Sequence, residues 1–248
     1  MTYPTAPRSI THVIYDLDGL LLDTESINIA VSDHIATRYQ RPYDPKMQSL
    51  VLGRDAIASA KILIDVLDLP ISPEEFVRQR RSLIDTWNRT PNPMPGARDL
   101  SHQFHRSGIS QAIATSSTRD TFEQKRAHHV EWFAIFEAIV VRDDPAVNAS
   151  KPAPDSFLVA AERLGAKPNQ CLVFEDSISG MDGAIAAGMA VVAVPSAHSD
   201  PADYGAADLV LDSLESFDPT PWDLPAIAPI QAPPLTSISS PKVTLNAG

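Results

Sequence analysis

Residues 13 to 19 read Val13-Ile14-Tyr15-Asp16-Leu17-Asp18-Gly19, an apolar run that ends in two acids and a glycine. On an extended backbone, positions i and i+2 point to the same side, so the carboxylates of Asp16 and Asp18 are aimed together. Like charges so close are unfavourable unless a cation or a shared proton relieves them. Gly19 lets the chain turn sharply, or lets a ligand approach the backbone. In open α/β sheets, ligands bind beyond the carboxyl ends of the strands. Two acids at such a tip point to metal or acid–base chemistry there; the plainer reading is a solvated strand end.

Other segments carry reactive residues in the same setting. Thr115 closes Ala112-Ile113-Ala114 and is followed by Ser116-Ser117; Lys151 opens Lys151-Pro152-Ala153-Pro154-Asp155; Glu175-Asp176 closes Cys171-Leu172-Val173-Phe174, with Gly180 and Gly188 behind it. Together with Asp16-Leu17-Asp18-Gly19 and the downstream Asp23-Thr24, these resemble the four ordered motifs of the haloacid dehalogenase (HAD) phosphohydrolase superfamily. The resemblance covers roughly residues 9 to 218 and implies the subfamily with a helical cap.

The resemblance implies a division of labour. Asp16 would attack phosphorus and form an aspartyl-phosphate, and Asp18 would protonate the leaving alkoxide and then deprotonate water. Those roles need Asp16 ionised while Asp18 is protonated, and a cation touching only the Asp16 carboxylate would separate the two pKa values. The family pattern places that cation on Asp16, the main-chain carbonyl of Asp18 and Asp176, with Glu175 acting mainly through bound water. Every candidate ligand is a hard oxygen, which suits Mg²⁺ and argues against zinc. Thr115 and Lys151 would stabilise the phosphoryl charge, with Ser116 and Ser117 beside them. Glu175-Asp176-Ser177 also reads simply as a helix cap.

These residues need a scaffold. Strand-like runs cover 11–15, 110–114, 138–141, 171–174, 190–194 and 207–211, with helical patterns over 96–107, 118–129, 154–164 and 177–187. Apolar strands alternating with helices predict an α/β fold: a doubly wound parallel sheet covered on both faces. The alternation breaks between Thr24 and Pro93, where helices are expected over 25–38, 47–53, 55–67 and 73–88. The predicted organisation is a catalytic core of residues 1–22 and 94–218, a small helical cap domain of residues 23–93, and a poorly ordered proline-rich tail of residues 219–248. Within that tail, Trp222 and Leu224 could still pin its first part to the core. The cap would select the substrate, and Glu25, Asn28, Arg54 and Lys61 are its candidate contacts. Arg54 follows Gly53, whose turn would project it. Adjacent histidines on a helix point about 100° apart, so His128-His129 is expected to be two partly exposed helix residues rather than a metal site.

Composition narrows the function. The chain has 248 residues, 44% of them apolar, a formal net charge of −11 and one cysteine, Cys171. The negative charge disfavours nonspecific binding to nucleic acid or anionic membranes. No apolar run reaches the roughly 18 residues a membrane span needs. Met1-Thr2-Tyr3-Pro4 lacks a basic region before an apolar stretch, and a lone cysteine fits a reducing compartment, so a cytoplasmic monomer is expected.

The stretches Asp16–Glu25, Ile64–Leu67, Met94–Ala97, Ala114–Ser117 and Arg142–Pro145 resemble one branch of the family. That branch contains pseudouridine-5′-phosphatase and plant phosphatases of glycerol phosphate or riboflavin monophosphate. It often carries Lys-Thr-x-Arg-His after the second motif, where this chain has Lys125-Arg126-Ala127-His128-His129. The expected substrate is a small phosphorylated metabolite of sugar, nucleoside or polyol type. β-Phosphoglucomutase shares the cap type, but its cap histidine has no counterpart in Glu25-Ser26-Ile27-Asn28, which favours hydrolysis. A catalytically silent phosphometabolite-binding protein is the alternative of a different class.

Overall fold

All six apolar runs are four or five residues long, and most lack internal polarity alternation, as strands buried on both faces require. The computed structural model describes residues 9–51, 54–87 and 90–226. In it the runs form strands β1 His12–Tyr15, β2 Ser110–Ala114, β3 Ala138–Val140, β4 Cys171–Glu175, β5 Ala190–Ala193 and β6 Leu209–Val210. All pair in parallel in the order β3-β2-β1-β4-β5-β6. The chain moves outward from β1 to β3 and then crosses back to the other side of β1, which makes the β1–β4 seam the switch point of the sheet.

The helices are α1 Glu25–Arg38, α2 Ala56–Leu67, α3 Pro73–Trp87, α4 Ala97–Arg106, α5 Arg119–Arg126, α6 Val130–Phe133, α7 Asp155–Arg163 and α8 Ile178–Ala186. Alternate strand residues serve opposite faces. Val13 and Tyr15 pack with Leu100, Phe104, Phe122 and Phe133, whereas Ile14 packs with Phe157, Ala160 and Met181. The sheet is thus wound on both sides. A third cluster, built on Val31, Ile35, Leu63, Leu67 and Phe76, belongs to α1, α2, α3 and the segments that join them.

Two chain segments join this helical cluster to the sheet, and they run side by side. Asp23 N–H donates to Asn92 O at 2.8 Å and Met94 N–H to Leu21 O at 2.9 Å, around an antiparallel bridge between Leu22 and Pro93.

Local differences from the sequence expectations have physical causes. The turn expected as helix over 47–53 is a 3-10 helix, Pro45–Leu50, opened by Asp44, whose Oδ1 accepts from Lys46 N–H at 2.9 Å. Leu52, Gly53 and Asn88 lie outside the described residues, as does the tail beyond Ala226. The edge strand β6 is two residues long, and short edges limit pairing with other chains. The histidine expectation fails for one residue. His129 precedes α6 and is buried, its Nε2 donating to Pro91 O at 2.8 Å. Among the described residues, no helix is long and apolar enough to cross a membrane.

Trp222 and Leu224 do pack into the core, and Trp222 O accepts from Ile10 N–H at 3.2 Å. Trp222→Ala should therefore destabilise the fold by roughly 3–5 kcal/mol in denaturant titration. A loss below about 1 kcal/mol would show that this segment is not part of the core.

Candidate active site

The parallel register sets Tyr15 against Phe174, and Asp16 N–H extends the ladder to Phe174 O at 3.0 Å. The first acid of β1 and the acids closing β4 therefore emerge together at the switch point. Lys151, on the loop leading to α7, reaches the same spot from β2's side. Its Nζ donates to Asp16 Oδ1 at 2.5 Å, Glu175 Oε1 at 2.5 Å and Ala114 O at 3.0 Å. An ammonium has three N–H groups, and all three are placed on protein acceptors. Its Nζ also lies 4.8 Å from the Phe157 ring centroid. Burial alone would favour the neutral amine, but Asp16 and Glu175 reverse this and raise the Lys151 pKa.

Glu175 is the fully buried partner of that lysine. Its other oxygen accepts Ser177 N–H at 3.1 Å and Ser177 Oγ–H at 2.9 Å, while Ser177 Oγ caps α8 by accepting Gly180 N–H at 3.0 Å. The helix-cap reading and the site reading of Glu175-Asp176-Ser177 hold together. A Cβ on Gly180 would lie 1.8 Å from Glu175 Oε1, so only glycine allows this approach. Gly19 is constrained in the same way: its φ is +91°, and a Cβ there would lie 2.1 Å from Asp176 Oδ2.

That Asp176 oxygen is buried without a hydrogen-bond partner. Asp16, Glu175 and Asp176 each offer an oxygen within 4.8 Å of the others, a spacing at which each carboxylate pair repels by about 3 kcal/mol at an effective dielectric of about 20. One ammonium faces three carboxylates, and an orphaned oxygen remains. This all-oxygen donor set fits a hard divalent cation such as Mg²⁺.

Asp18 sits apart from this cluster, partly exposed. Its side chain accepts from Lys125 Nζ, from Ser117 Oγ at 2.8 Å and from Thr115 Oγ at 3.3 Å. Burial works against the charged form, but Lys125 and Ser117 more than offset it and hold Asp18 below its usual range. Asp16 behaves in the opposite way: burial, with Glu175 and Asp18, pushes it up to about 7 despite Lys151. Burial, with Asp16 and Glu175, raises Asp176 well above its usual range. Without a cation, then, the acidities stand in the reverse order from that expected for an ionised Asp16 and a protonated Asp18.

A cavity of about 400 Å³ opens onto Asp16, Asp18, Ser116 and Ser117 and is roofed by α1, α2 and α3. Glu25 and Arg54 line it, as the sequence suggested, and so does Asn28; Lys61 is exposed and does not. Burial raises the pKa of Glu25 against Ser196 and His198 from the loop after β5. Arg54 is an exposed rim residue whose Nε donates to Leu50 O at 3.2 Å. Four basic residues lining the cavity were missed: Arg80, Arg81, Lys125 and Arg142. Lys125 follows Thr118, the cap of α5, by seven residues, and Arg80 follows the buried Phe76 by four. Both spacings place the cation on its helix's inward face, a signal present in the sequence.

A family model described as haloacid dehalogenase-like hydrolase matches residues 13–194. The chain is 40% identical over 223 residues to (DL)-glycerol-3-phosphatase 1, mitochondrial, of Arabidopsis thaliana, covering 88% of this chain and 75% of that one. It is also 40% identical over 222 residues to a probable pseudouridine-5′-phosphatase of Drosophila melanogaster, covering 88% and 96%. In fold it resembles a HAD family hydrolase of Deinococcus radiodurans solved with bound phosphate and sodium. The TM-score is 0.74 at 21% identity, over 88% of this chain and 99% of that one.

The raised Asp16 has a consequence for stability. A carboxyl whose folded pKa is about 7, against roughly 3.9 unfolded, contributes stability that is complete below about pH 4 and lost as pH rises towards 7. In excess chelator the protein should unfold at a lower temperature at pH 8 than at pH 5. Asp16→Asn should flatten that slope, and identical slopes for the two proteins would refute the burial argument.

Proposed function

The chain belongs to the haloacid dehalogenase-like hydrolase family and is a phosphoric monoester hydrolase, and from that premise we propose a Mg²⁺-dependent phosphatase acting on a small phosphorylated metabolite through an aspartyl-phosphate on Asp16. Residues 1–22 and 94–218 serve as its catalytic core and residues 23–93 as its substrate-selecting cap. The observation that carries the reading is the convergence of Asp16, Asp176 and Lys151 at the β1–β4 seam, where Asp16 and Asp18 open onto one cavity.

Two bonds fix the orientation of the Asp16 carboxylate, Lys151 to Oδ1 at 2.5 Å and Asp18 N–H to Oδ2 at 2.7 Å. In the first step an Asp16 oxygen bonds to phosphorus as the ester P–O bond breaks, and Asp18 delivers a proton to the departing oxygen. In the second step Asp18 takes a proton from water, the water oxygen bonds to phosphorus, and the Asp16–phosphorus bond breaks. Asp18 needs a proton at the start, and the incoming phosphate dianion supplies the negative charge that raises its pKa against Lys125. Asp16, the main-chain carbonyl of Asp18 and Asp176 would hold Mg²⁺, with Glu175 behind them. When bound, that cation supplies positive charge to the phosphoryl oxygens and keeps Asp16 ionised.

Ser116 and Ser117 line the cavity, with Thr115 buried behind them, and these hydroxyls would turn to donate to the phosphoryl oxygens. Lys151, with every donor on the protein, acts first by orienting Asp16. Glu25 and Arg54 face the leaving group from the cap side.

Purified protein with Mg²⁺ should release phosphate from one or more members of a panel of sugar, nucleoside and polyol monophosphates. Asp16→Asn should lower kcat by at least about 10³-fold while the unfolding midpoint stays cooperative, and excess chelator should stop turnover. Phosphate release by neither the panel nor an aryl phosphate would favour a silent binding protein, and retained turnover in chelator would remove the cation from the mechanism.

A further inference from the structure

The cavity has two unlike ends. The floor carries the acids, hydroxyls and Lys125 already described. The roof is mainly apolar, with Leu63 of α2 and Phe76, Val77 and Ile84 of α3 on its wall. Arg81 and Asp85 also line the cavity from α3, and Arg80 interrupts the apolar wall. It lies between Phe76 and Ile84 at a spacing of four residues each way, so all three share one face of α3.

Arg80 is held in place rather than draped over the surface. Its Nη2 donates to Asn28 Oδ1 at 2.5 Å, across from α3 to α1, and Asn28 N–H is itself bonded to Thr24 O at 3.0 Å. Among the described contacts this uses one of the five guanidinium N–H groups. Burial lowers the Arg80 pKa while the Asp18 charge opposes the shift, so the guanidinium lies within electrostatic reach of the proposed catalytic acid. A part-buried guanidinium on a cavity wall with apolar neighbours, and with donors to spare, matches a ligand that brings acceptors. Ligand pockets of this type combine an apolar lining with a few placed polar groups.

The two features together discriminate between leaving groups. A bare polyol carries an oxygen on every carbon and would leave the apolar wall facing polar groups. A heterocycle has an apolar face for the wall and carbonyl oxygens on its edge for the guanidinium. We propose that Arg80, aligned by Asn28, is a specificity-determining residue that donates to the edge carbonyl oxygens of a heterocyclic leaving group lying along Leu63, Phe76 and Val77. The substrate class is then a nucleoside or flavin-type monophosphate rather than a polyol phosphate. This assignment rests on the phosphatase reading for where the phosphate sits.

The test uses the Asp16→Asn protein with Mg²⁺, so that binding is measured without turnover. Uridine 5′-monophosphate, riboflavin 5′-phosphate and glycerol 3-phosphate are titrated by calorimetry. One heterocyclic probe should bind at least about tenfold tighter than glycerol 3-phosphate. Adding Arg80→Met should remove that preference and leave the glycerol 3-phosphate affinity unchanged, while Arg80→Lys should keep part of it. Asn28→Ala should weaken the preference without abolishing it.

Equal affinity for all three probes overturns the proposal. So does an Arg80→Met loss shared by glycerol 3-phosphate, which would mark a strut between helices, and so does an unchanged preference. The two readings fail separately. A binding preference that depends on Arg80 in a native protein releasing no phosphate would sink the hydrolase and keep the recognition site. Hydrolysis confined to glycerol phosphate would do the reverse.

Discussion

The Lys151 ammonium between Asp16 and Glu175 is the contact on which the rest of the site depends. Three acids at a strand seam are neither individually stable nor mutually tolerant in a buried setting, since each loses hydration and repels the others. Lys151 ties two of them together through contacts of 2.5 Å and anchors itself on Ala114 O, which belongs to a third strand. The ammonium thus fastens β1, β2 and β4 at their carboxyl ends. It also leaves the third acid, Asp176, with an oxygen that no protein donor reaches. One ammonium against three carboxylates leaves the cluster with an excess of negative charge and one unpaired oxygen, a donor set that fits a hard divalent cation.

The fold makes this arrangement by topology and then protects it with glycines. Because β1 and β4 are neighbours with Tyr15 set against Phe174, residues some 160 positions apart emerge side by side without any loop having to reach. The approach is so close that side chains elsewhere must be absent. Gly19 passes over Asp176 and Gly180 over Glu175, each where a methyl group would overlap a carboxylate oxygen. Asp18 escapes the cluster by lying beyond the strand, where Lys125 and Ser117 take up its charge. One acid is therefore drawn into a low-dielectric cluster and its neighbour two residues on is held out of it.

That division explains what was legible in the sequence. Asp16, Thr115, Glu175 and Asp176 could be located because each ends an apolar run, and a strand's period fixes where its last side chain points. The doubly wound sheet followed from the same runs alternating with helices. Lys125 and Arg80 were harder, because their partners lie 107 and 52 residues away and no local pattern names them. The face of the helix was nonetheless readable. Arg80 shares a face with the buried Phe76, whereas Lys61 follows the buried Ala60 by one residue and points elsewhere. Charge alone does not separate Lys61 from Arg80; helical phase does, since only Arg80 lines the cavity. His129 was misjudged for a related reason: the helix was extended through it, while the chain breaks at Ala127 and buries the ring against Pro91.

The connection between sheet and helical roof carries the last step of the argument. Asp18 belongs to a turn in which Gly19 N–H donates to Leu22 O at 2.9 Å and Leu22 N–H to Leu17 O at 2.9 Å, and Leu22 is bridged in turn to Pro93. The proposed acid and both connecting segments are thus parts of one hydrogen-bonded unit. Immediately beyond it, the first turn of α1 presents Glu25 and Asn28, and Asn28 holds Arg80. A rotation of the roof about these segments would carry Glu25, Asn28 and Arg80 as a group, while Asp16 stays fixed to the sheet by Lys151. Recognition of the leaving group and exclusion of water would then share one motion, with the acid at its pivot. Because Asp18 is also bonded to Thr115 and Ser117 on the sheet side, such a rotation would leave those bonds in place.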